Sequence, residues 1–364
     1  MTKKILLYID GMNSGGAQRQ LIGLACCIKK LPDYEARLLF YKKDADFYKS
    51  QLEDFQIDYF YDRSSDSKWH GLKALRKQIK VYQPDLIISF LGENNLFACL
   101  NRLVCHIPLI VSERNTTILP SRLDRVRFFL YRWADRIVPN SYSQGKYLCG
   151  KQQRIANKVF PIVNFVDTNV YHPIDKHKVG DIRHIIVAAR VVPQKNVIDF
   201  IHAIKVVIDK GNTKFYIDWI GNLGVHDYVK ECQSLIEDLK LSEYITFVGE
   251  CKDMASAYQK ADAFCLPSYY EGTPNVICEA MASGLPVLCS DVCDNARYVE
   301  NGVNGLLFNP HDIRSIADVL VSFINKKDDS ILEMGKNSRE KAVISFSIDK
   351  FNAQWHEQIK QLIG

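Results

Sequence analysis

Two glutamates, Glu271 and Glu279, are separated by seven residues in the stretch from residue 269 to residue 280. The apolar run of residues 263–267 precedes them and predicts a buried strand that ends at a proline. Gly272 permits a turn, Thr273 suits a helix N-cap and Pro274 suits the first helical position. Because open α/β sheets hold ligands at the carboxyl ends of their strands, both carboxylates are predicted to line one ligand cleft.

Each glutamate also has a simpler interpretation. A glutamate just before a helix, as Glu271 is, can merely complement the positive end of the helix dipole. A glutamate inside a helix, as Glu279 is, ordinarily faces solvent. The helix that carries Glu279 is predicted to end with Gly284 in the C′ position. For either glutamate alone the simpler interpretation is favoured, so a functional one needs support from the rest of the chain.

A glycine-rich turn follows the first predicted strand, residues 5–9, and contains Gly15 and Gly16. A turn of this kind before a helix exposes backbone N–H groups that suit a phosphate. Asn13 occupies a position where the dinucleotide-binding fingerprint needs glycine, so that interpretation is weak. A tight turn that needs a positive φ explains the two glycines equally well.

Charged residues follow two other predicted strands. Glu113 and Arg114 come after residues 107–112, and Arg190 and Lys195 come after residues 184–188. Solvated loop residues are the ordinary explanation for both pairs. Further strands are predicted at residues 36–41, 86–90, 137–139, 158–162, 215–220 and 245–248, and helices at residues 71–82 and 348–363.

Residues 120–137 predict an amphipathic helix. Its apolar face would carry Val126, Leu130, Trp133 and Ile137. Its flank would carry four arginines, Arg122, Arg125, Arg132 and Arg136. A core-facing helix with solvated arginines is the simpler interpretation. The alternative is a surface that meets anionic lipid or an acceptor pyrophosphate.

Composition places the chain among ordinary proteins of two α/β domains. It has 364 residues, 47% of them hydrophobic and 24% charged, with a net charge of +5. That charge is too diffuse to indicate nucleic-acid binding. The 11 cysteines show neither zinc-ligand spacing nor a disulfide framework, which indicates free thiols in a reducing compartment. The opening apolar run is too short for a signal peptide, and no run suits a membrane helix.

Taken together, the motifs resemble the retaining glycosyltransferases of family 4, which have the GT-B fold. The stretch from Glu271 to Glu279 resembles that family's E-x7-E motif, and residues 189–196 resemble its G-R-L-x-x-x-K-N element. The resemblance implies that Arg190 and Lys195 bind the donor diphosphate. It also implies that Glu271 binds the donor sugar and that Glu279 binds the ribose. It also implies that the backbone of Gly272, Thr273, Pro274 and Asn275, with Gly15 and Gly16, approaches the phosphates and sugar. Glu113 and Arg114 stand where many members have a histidine that touches sugar and acceptor.

The resemblance implies two Rossmann-like α/β domains facing each other across a cleft. The acceptor-binding domain would span residues 1–165, with a C-terminal helix, residues 346–364, packed back on it. The nucleotide-sugar domain would span residues 166–345. The implied reaction moves a hexosyl or N-acetylhexosaminyl group, with retention and without a metal or cofactor, from a UDP- or GDP-linked donor. A sugar-nucleotide 2-epimerase and a non-catalytic binding module are the alternatives.

The implied acceptor is a saccharide or polyprenyl-linked saccharide used in cell-surface polysaccharide assembly. The chain would then be cytoplasmic, with an anionic membrane surface as a second partner and no nucleic acid.

Overall fold

The computed structural model describes residues 2–42, 46–64, 67, 69–174, 181–224 and 226–364. These residues form two compact units. The first unit contains Met1–Asn164 and Asp349–Gly364, and the second contains Phe165–Ile348. The chain passes from the first unit to the second between Asn164 and Phe165 and returns to the first between Ile348 and Asp349.

The first unit is built on a parallel sheet of six strands in the order β3-β2-β1-β4-β5-β6. The strands are β1 (Lys3–Tyr8), β2 (Tyr34–Phe40), β3 (Asp58–Tyr61), β4 (Leu86–Phe90), β5 (Leu109–Glu113) and β6 (Arg136–Pro139). The helices are α1 (Gly16–Lys29), α2 (Lys49–Asp54), α3 (His70–Tyr82), α4 (Gly92–Arg102), α5 (Arg122–Leu130), α6 (Tyr142–Lys151) and the C-terminal α14 (Ile348–Ile363). Short 3₁₀ turns follow α5 and α6, at Tyr131–Trp133 and Gln153–Lys158.

The second unit repeats this plan with strand order β12-β11-β10-β7-β8-β9. Its strands are β7 (Arg183–Ala188), β8 (Phe215–Ile220), β9 (Ile245–Gly249), β10 (Ala263–Leu266), β11 (Val287–Ser290) and β12 (Gly305–Phe308). Its helices are α7 (Val197–Asp209), α8 (His226–Asp238), α9 (Met254–Lys260), α10 (Asn275–Ala282), α11 (Asn295–Tyr298), α12 (Ile313–Ile324) and α13 (Asp328–Phe346). A short 3₁₀ turn, Pro193–Lys195, precedes α7.

Both sheets therefore have the Rossmann strand order, in which the order reverses next to the first strand. The reversal lies between β1 and β4 in the first unit and between β7 and β10 in the second. Connections leave the sheet in opposite directions at that point, which opens a crevice at the carboxyl ends of the two strands. In the second unit, the loops that flank this crevice are residues 189–196 and 267–274.

The helix α14 packs its buried residues Phe351, Trp355 and Ile359 in the first unit, where Trp355 stacks on Phe90 of β4 with ring centroids 5.8 Å apart. Leu362 of the same helix is only half-buried. None of the described helices is long and apolar enough to span a membrane.

Two local predictions are wrong, and one strand was missed. Residues 120–137 are not one helix: α5 ends at Leu130, and Ile137 belongs to β6. Residues 158–162 form no strand beyond an isolated bridge between Val159 and Ile137. The edge strand β3 was not predicted, because its four residues are only partly buried and show no alternation of apolar and polar positions.

Candidate functional site

The two loops at the switch point of the second unit carry an ion pair. The Lys195 ammonium lies at the end of the loop after β7 and contacts Glu271 Oε1 in the loop after β10. Both side chains are largely buried, at 14% and 9% exposure, and Arg190 on the same loop as Lys195 is exposed. Charges withdrawn from water in this way are costly unless paired, so the pair fixes the two loops against each other.

Backbone contacts reinforce that connection. The N–H of Tyr269 donates to the carbonyl of Gln194 at 3.0 Å, and the Gln194 side-chain amide donates to the carbonyl of Tyr270 at 2.9 Å. The Tyr269 hydroxyl donates to Asp199 Oδ2 at 2.6 Å in the first turn of α7. Burial, together with that carboxylate, raises the pKa of Tyr269 to about 12, so its hydroxyl stays a donor at neutral pH.

Glu279 lies in α10 but does not face solvent. Only 4% of it is exposed, and its Oε2 accepts a hydrogen bond from the hydroxyl of Tyr258 in α9 at 3.2 Å. Tyr258 is itself fully buried. The interpretation that Glu279 faces solvent is therefore wrong. Its carboxylate is buried, immobilised and hydrogen-bonded.

The start of α10 differs from the prediction by one residue. Pro274, not Thr273, is the N-cap, with extended φ and ψ of −72° and 119°. The carbonyl of Pro274 accepts the first helical hydrogen bond, from Ile277 at 3.1 Å. Proline suits this place because the first N–H groups of a helix lack intrahelical partners anyway. Gly272 and Asn275 flank the same turn and are half-buried.

The end of α10 agrees with the prediction. Gly284 occupies the C′ position with φ of 78°, and its N–H donates to the carbonyl of Met281 at 3.0 Å. The N–H of Leu285 donates to the carbonyl of Ala280 at 3.0 Å, which completes a Schellman motif. The cap fixes where the helix that carries Glu279 ends.

Cys293 has a backbone conformation that is uncommon for a residue other than glycine, with φ of 53°. That left-handed backbone favours glycine, so the cysteine holds a conformation that the loop imposes. The thiol is exposed and lies on the loop that follows β11.

The glycine-rich turn of the first unit lies at the carboxyl end of β1. Gly15 is the N-cap of α1 with φ of −70°, so the tight-turn explanation based on a positive φ is wrong for it. A Cβ at Gly15 would instead lie 2.2 Å from Gln18 Oε1 and 2.9 Å from Asn13 Oδ1. Gly16 begins the helix and is exposed, which leaves the first N–H groups of α1 at the surface.

Glu113 is occupied by structural partners. It is 2% exposed, and its Oε1 lies 3.0 Å from Arg127 Nε. The Tyr131 hydroxyl donates to the same carboxylate, and Asn95 Nδ2 approaches it at 3.5 Å. Burial and then Glu113 raise the pKa of Tyr131, which keeps this phenol a donor. The geometry therefore favours a structural role for Glu113 over the predicted substrate contact.

Arg114 is buried without a carboxylate partner among the described residues. Its guanidinium donates to Ser112 Oγ at 3.3 Å and to Asn164 Oδ1, and lies 4.7 Å from the ring centroid of Phe90. Burial lowers the pKa of Arg114 to about 9. A cation held in this way is electrostatically uncompensated and suited to an anion.

The structure thus groups the predicted residues by unit. Those in the second unit gather at its switch point: Arg190, Lys195, Glu271, Gly272, Thr273, Pro274, Asn275 and Glu279. Those in the first unit lie at the carboxyl edge of its sheet: Gly15, Gly16, Glu113 and Arg114.

Two further groups at these edges were not predicted. Tyr258, which bonds to Glu279, is distant in sequence and carries no local signal. In the first unit, Lys42 after β2 pairs with Asp10 after β1 at 3.2 Å and with Glu93 at the start of α4 at 2.9 Å. The sequence signal that could have predicted this cluster is a pair of charged residues just after two adjacent strands, β1 and β2.

Comparison with known proteins identifies the second unit. Residues 174–341 match the family described as Glycosyl transferases group 1. This part of the chain is a group 1 glycosyltransferase domain. The match covers most of the second unit and includes Arg190, Lys195, Glu271 and Glu279. The predicted family resemblance is confirmed.

Curated relatives resemble the chain along most of its length. One is 25% identical over 99% of both chains and is described as a GalNAc-alpha-(1->4)-GalNAc-alpha-(1->3)-diNAcBac-PP-undecaprenol alpha-1,4-N-acetyl-D-galactosaminyltransferase of Campylobacter jejuni. Another, from Escherichia coli, is described as a UDP-Gal:alpha-D-GlcNAc-diphosphoundecaprenol alpha-1,3-galactosyltransferase. It is 26% identical over 77% of this chain and 76% of its own.

The predicted GT-B fold is also confirmed by solved structures. Anabaena Alr3699/HepE, solved in complex with UDP and glucose, superposes with a TM-score of 0.84 at 22% identity. The superposition covers 99% of this chain and 100% of that one. A glycosyltransferase of Rickettsia africae superposes with a TM-score of 0.85 at 16% identity, covering 99% and 98% of the two chains.

Proposed function

We propose that the protein is a retaining, metal-independent glycosyltransferase that moves a hexosyl or N-acetylhexosaminyl group from a UDP- or GDP-linked donor. The acceptor is a hydroxyl of a lipid-linked saccharide in surface-polysaccharide assembly. The observation that carries the proposal is the grouping of the Lys195–Glu271 ion pair with the buried carboxylate of Glu279 at one switch point. Open α/β sheets bind nucleotides at such a place.

The donor lies along the second unit in a fixed direction. Glu279, immobilised by Tyr258, accepts hydrogen bonds from the ribose hydroxyls. Lys195 and Arg190 contact the diphosphate, and Glu271 binds hydroxyls of the transferred sugar. The N-terminal N–H groups of α10 point at the same anion, because the first amides of a helix lack internal partners.

Cations of the chain take the place of a metal in this scheme. The nucleoside diphosphate gains negative charge as the glycosidic bond breaks, and fixed cations stabilise that charge best when they are already in place. Lys195 is held by its loop and by Glu271, and Arg190 is exposed on the same loop. A donor phosphate would therefore replace part of the contact that Lys195 makes with Glu271.

The reaction proceeds on one face of the sugar. The bond between the anomeric carbon and the leaving phosphate oxygen breaks with its electron pair going to the nucleoside diphosphate. The acceptor oxygen forms the new bond on that face, and its proton passes to the leaving phosphate. The relatives' descriptions specify alpha linkages, and an alpha product made from an alpha-linked donor corresponds to retention.

The relatives also support the acceptor class. The descriptions of the Campylobacter jejuni and Escherichia coli enzymes both contain a saccharide joined through a diphosphate to undecaprenol. With a similar acceptor, the proposed site of this reaction is the cytoplasmic face of the membrane. Arg114, a buried cation without a carboxylate partner among the described residues, is the candidate for an anionic group of that acceptor.

A transfer assay tests the proposal. The full chain is incubated with UDP-galactose, UDP-glucose, their N-acetylated forms or GDP-mannose, together with an undecaprenyl-diphosphate-linked N-acetylhexosamine. The expected result is a product heavier by one hexosyl unit, alpha-linked by proton NMR and formed equally well in EDTA. A beta linkage would contradict retention, and loss of product in EDTA would contradict metal independence.

A donor-only reaction separates the two alternatives. A sugar-nucleotide epimerase would convert the donor to its epimer without an acceptor. A binding module would bind the donor and leave it unchanged in both reactions. Either outcome would replace the proposed transfer.

A further inference from the structure

An exposed apolar surface lies in the first unit between β5 and β6. It consists of six side chains, which we call the apolar stripe: Ile118, Leu119, Leu123, Val126, Phe129 and Trp133. Leu119 is 89% exposed, and the other five are between 38% and 54% exposed. Among the described residues 22 large apolar side chains are exposed, so six within 16 residues is a cluster rather than ordinary surface scatter.

Local contacts order the part of the stripe that lies in and just after α5. Leu123, Val126 and Phe129 follow at intervals of three in α5, which places them close together on a helix. The rings of Phe129 and Trp133 meet edge to face with centroids 5.7 Å apart. Ser121 and Asp124 form a capping box at the start of α5, with the Asp124 N–H donating to Ser121 Oγ at 3.1 Å.

The charges beside the stripe are positive. Arg122 and Arg125 are exposed, and the guanidinium of Arg132 lies 3.5 Å from the centroid of the Phe129 ring. The single acidic residue of the segment, Asp124, is engaged by the capping box and by Arg127 Nη1 at 2.7 Å. Residues 118–133 therefore offer apolar side chains with cations next to them, and the one carboxylate of this segment is already paired.

We propose that the apolar stripe docks on an anionic lipid bilayer, with its apolar side chains in the headgroup–acyl boundary and Arg122, Arg125 and Arg132 on lipid phosphates. Apolar and aromatic side chains bordered by arginine are the composition that binds this interface. A neutral protein partner would leave the arginines unpaired, whereas anionic lipid satisfies both features of the surface. The inference goes beyond the proposed reaction, because it depends on neither the donor nor the acceptor sugar.

The structure also changes which residues carry this contact. Arg136, which the sequence placed on the arginine flank, lies in β6 and donates to Gln358 and Gln361 of α14 at 3.2 and 3.0 Å. Leu130 and Ile137, expected on the apolar face, are buried. The docking surface is therefore the stripe and three arginines, not a helix of 18 residues.

Vesicle sedimentation of the full chain tests the proposal. We expect it to sediment with phosphatidylcholine vesicles that contain phosphatidylglycerol, and much less with phosphatidylcholine alone. The variant Leu119→Ser, Leu123→Ser, Val126→Ser should lose at least tenfold in partitioning, because its apolar contact is removed. Arg122→Glu with Arg125→Glu should lose roughly 25-fold or more, about fivefold for each cation lost, and less in high salt.

Matched controls use exposed residues of the second unit. Val343→Ser with Ile344→Ser removes comparable exposed apolar side chains from α13. Lys214→Glu with Lys230→Glu reverses two exposed cations. Both controls should bind vesicles as the unmodified chain does, and all variants should keep their melting temperature because the altered side chains are exposed.

Three results would overturn the proposal. The first is absence of binding to the anionic vesicles, and the second is equal binding by stripe variants and controls. The third is a dimer in solution that the stripe variant dissociates, which would make a second copy of the chain the partner. Nucleotide-sugar binding, measured without vesicles, should be unchanged in every variant, so failure here is distinguishable from failure of the proposed function.

Discussion

Replacing Arg127 by methionine is expected to destabilise the first unit strongly. Arg127 lies 3.0 Å from Glu113 Oε1 through Nε and 2.7 Å from Asp124 Oδ1 through Nη1. Its removal leaves the carboxylate of Glu113, which is 2% exposed, without its cation. Breaking a buried pair in this way costs about 3–5 kcal/mol, since the remaining charge stays desolvated.

The same substitution at Arg114 should have a different result. Arg114 is as buried as Arg127, but it has no carboxylate partner among the described residues, and its pKa is lowered to about 9. Arg114→Met removes two hydrogen bonds to neutral oxygens and also removes an uncompensated charge. We therefore expect a stability change within about 1 kcal/mol, with a loss of transfer activity if this cation serves the acceptor.

Scanning calorimetry of the full chain measures both effects. At about 2–4 °C per kcal/mol for a unit of this size, Arg127→Met should lower the melting temperature of the first unit by roughly 6–20 °C. Arg114→Met should change it little. The double variant Arg127→Met, Glu113→Gln should recover part of the loss, because the stranded charge is gone. Equal destabilisation by Arg114→Met and Arg127→Met would refute the distinction between a compensated and an uncompensated cation.

Three further predictions concern the second unit. Lys195→Ala should lower kcat by roughly 10²–10³-fold, while Glu279→Gln should mainly raise the donor KM, which steady-state kinetics separates. The opposite pattern would mean that the donor lies in the reverse direction. Tyr258→Phe should raise KM for the ribonucleotide donor but not for its 2′,3′-dideoxy analogue, because the phenol only orients Glu279; an equal effect on both would indicate a merely structural role. Gly284→Ala should lower the free energy of unfolding by about 1 kcal/mol or more, because φ is 78° and the new Cβ would lie 2.9 Å from Pro173 Cβ. Gly150→Ala, in α6 with open space around it, should raise that free energy by up to about 1 kcal/mol, and equal changes would refute the strain at Gly284.

The switch-point residues of the second unit could be found from sequence because their signals are local. An apolar strand, a turn and a capped helix follow one another within about 25 residues around Glu271, and each has its own residue preferences. Gly284 was placed correctly because a helix end that needs a positive φ selects glycine. Pro274 was misplaced by one residue, since proline suits either side of a helix start.

The segment around α5 could not be read from sequence for a physical reason. The core-facing interpretation placed its apolar side chains inside, but Val126 and Trp133 are exposed and Arg127 is buried. Arg127 is inside because Glu113, at the end of β5, compensates its charge. A long-range ion pair leaves no trace in local periodicity, so the segment's buried side was assigned incorrectly.

Tyr258 was missed for a related reason. Its hydroxyl bonds to Glu279, but the contact joins residues 21 positions apart on two helices. The sequence around Tyr258 shows only a short helix before a buried strand. Positioning groups of this kind become visible when tertiary structure places them beside a recognised residue.

Nucleotide-sugar binding measured by thermal shift tests the central claim most directly. One UDP- or GDP-linked sugar, at about 100 times its Kd, should stabilise the chain by about 2.7 kcal/mol, a rise of roughly 5–10 °C. Glu271→Ala and Glu279→Gln should each abolish or sharply reduce that rise, while the exposed control Glu237→Gln in α8 should keep it. A cognate donor that stabilises all four proteins equally would show that the nucleotide sugar binds elsewhere and would contradict the assignment of this site.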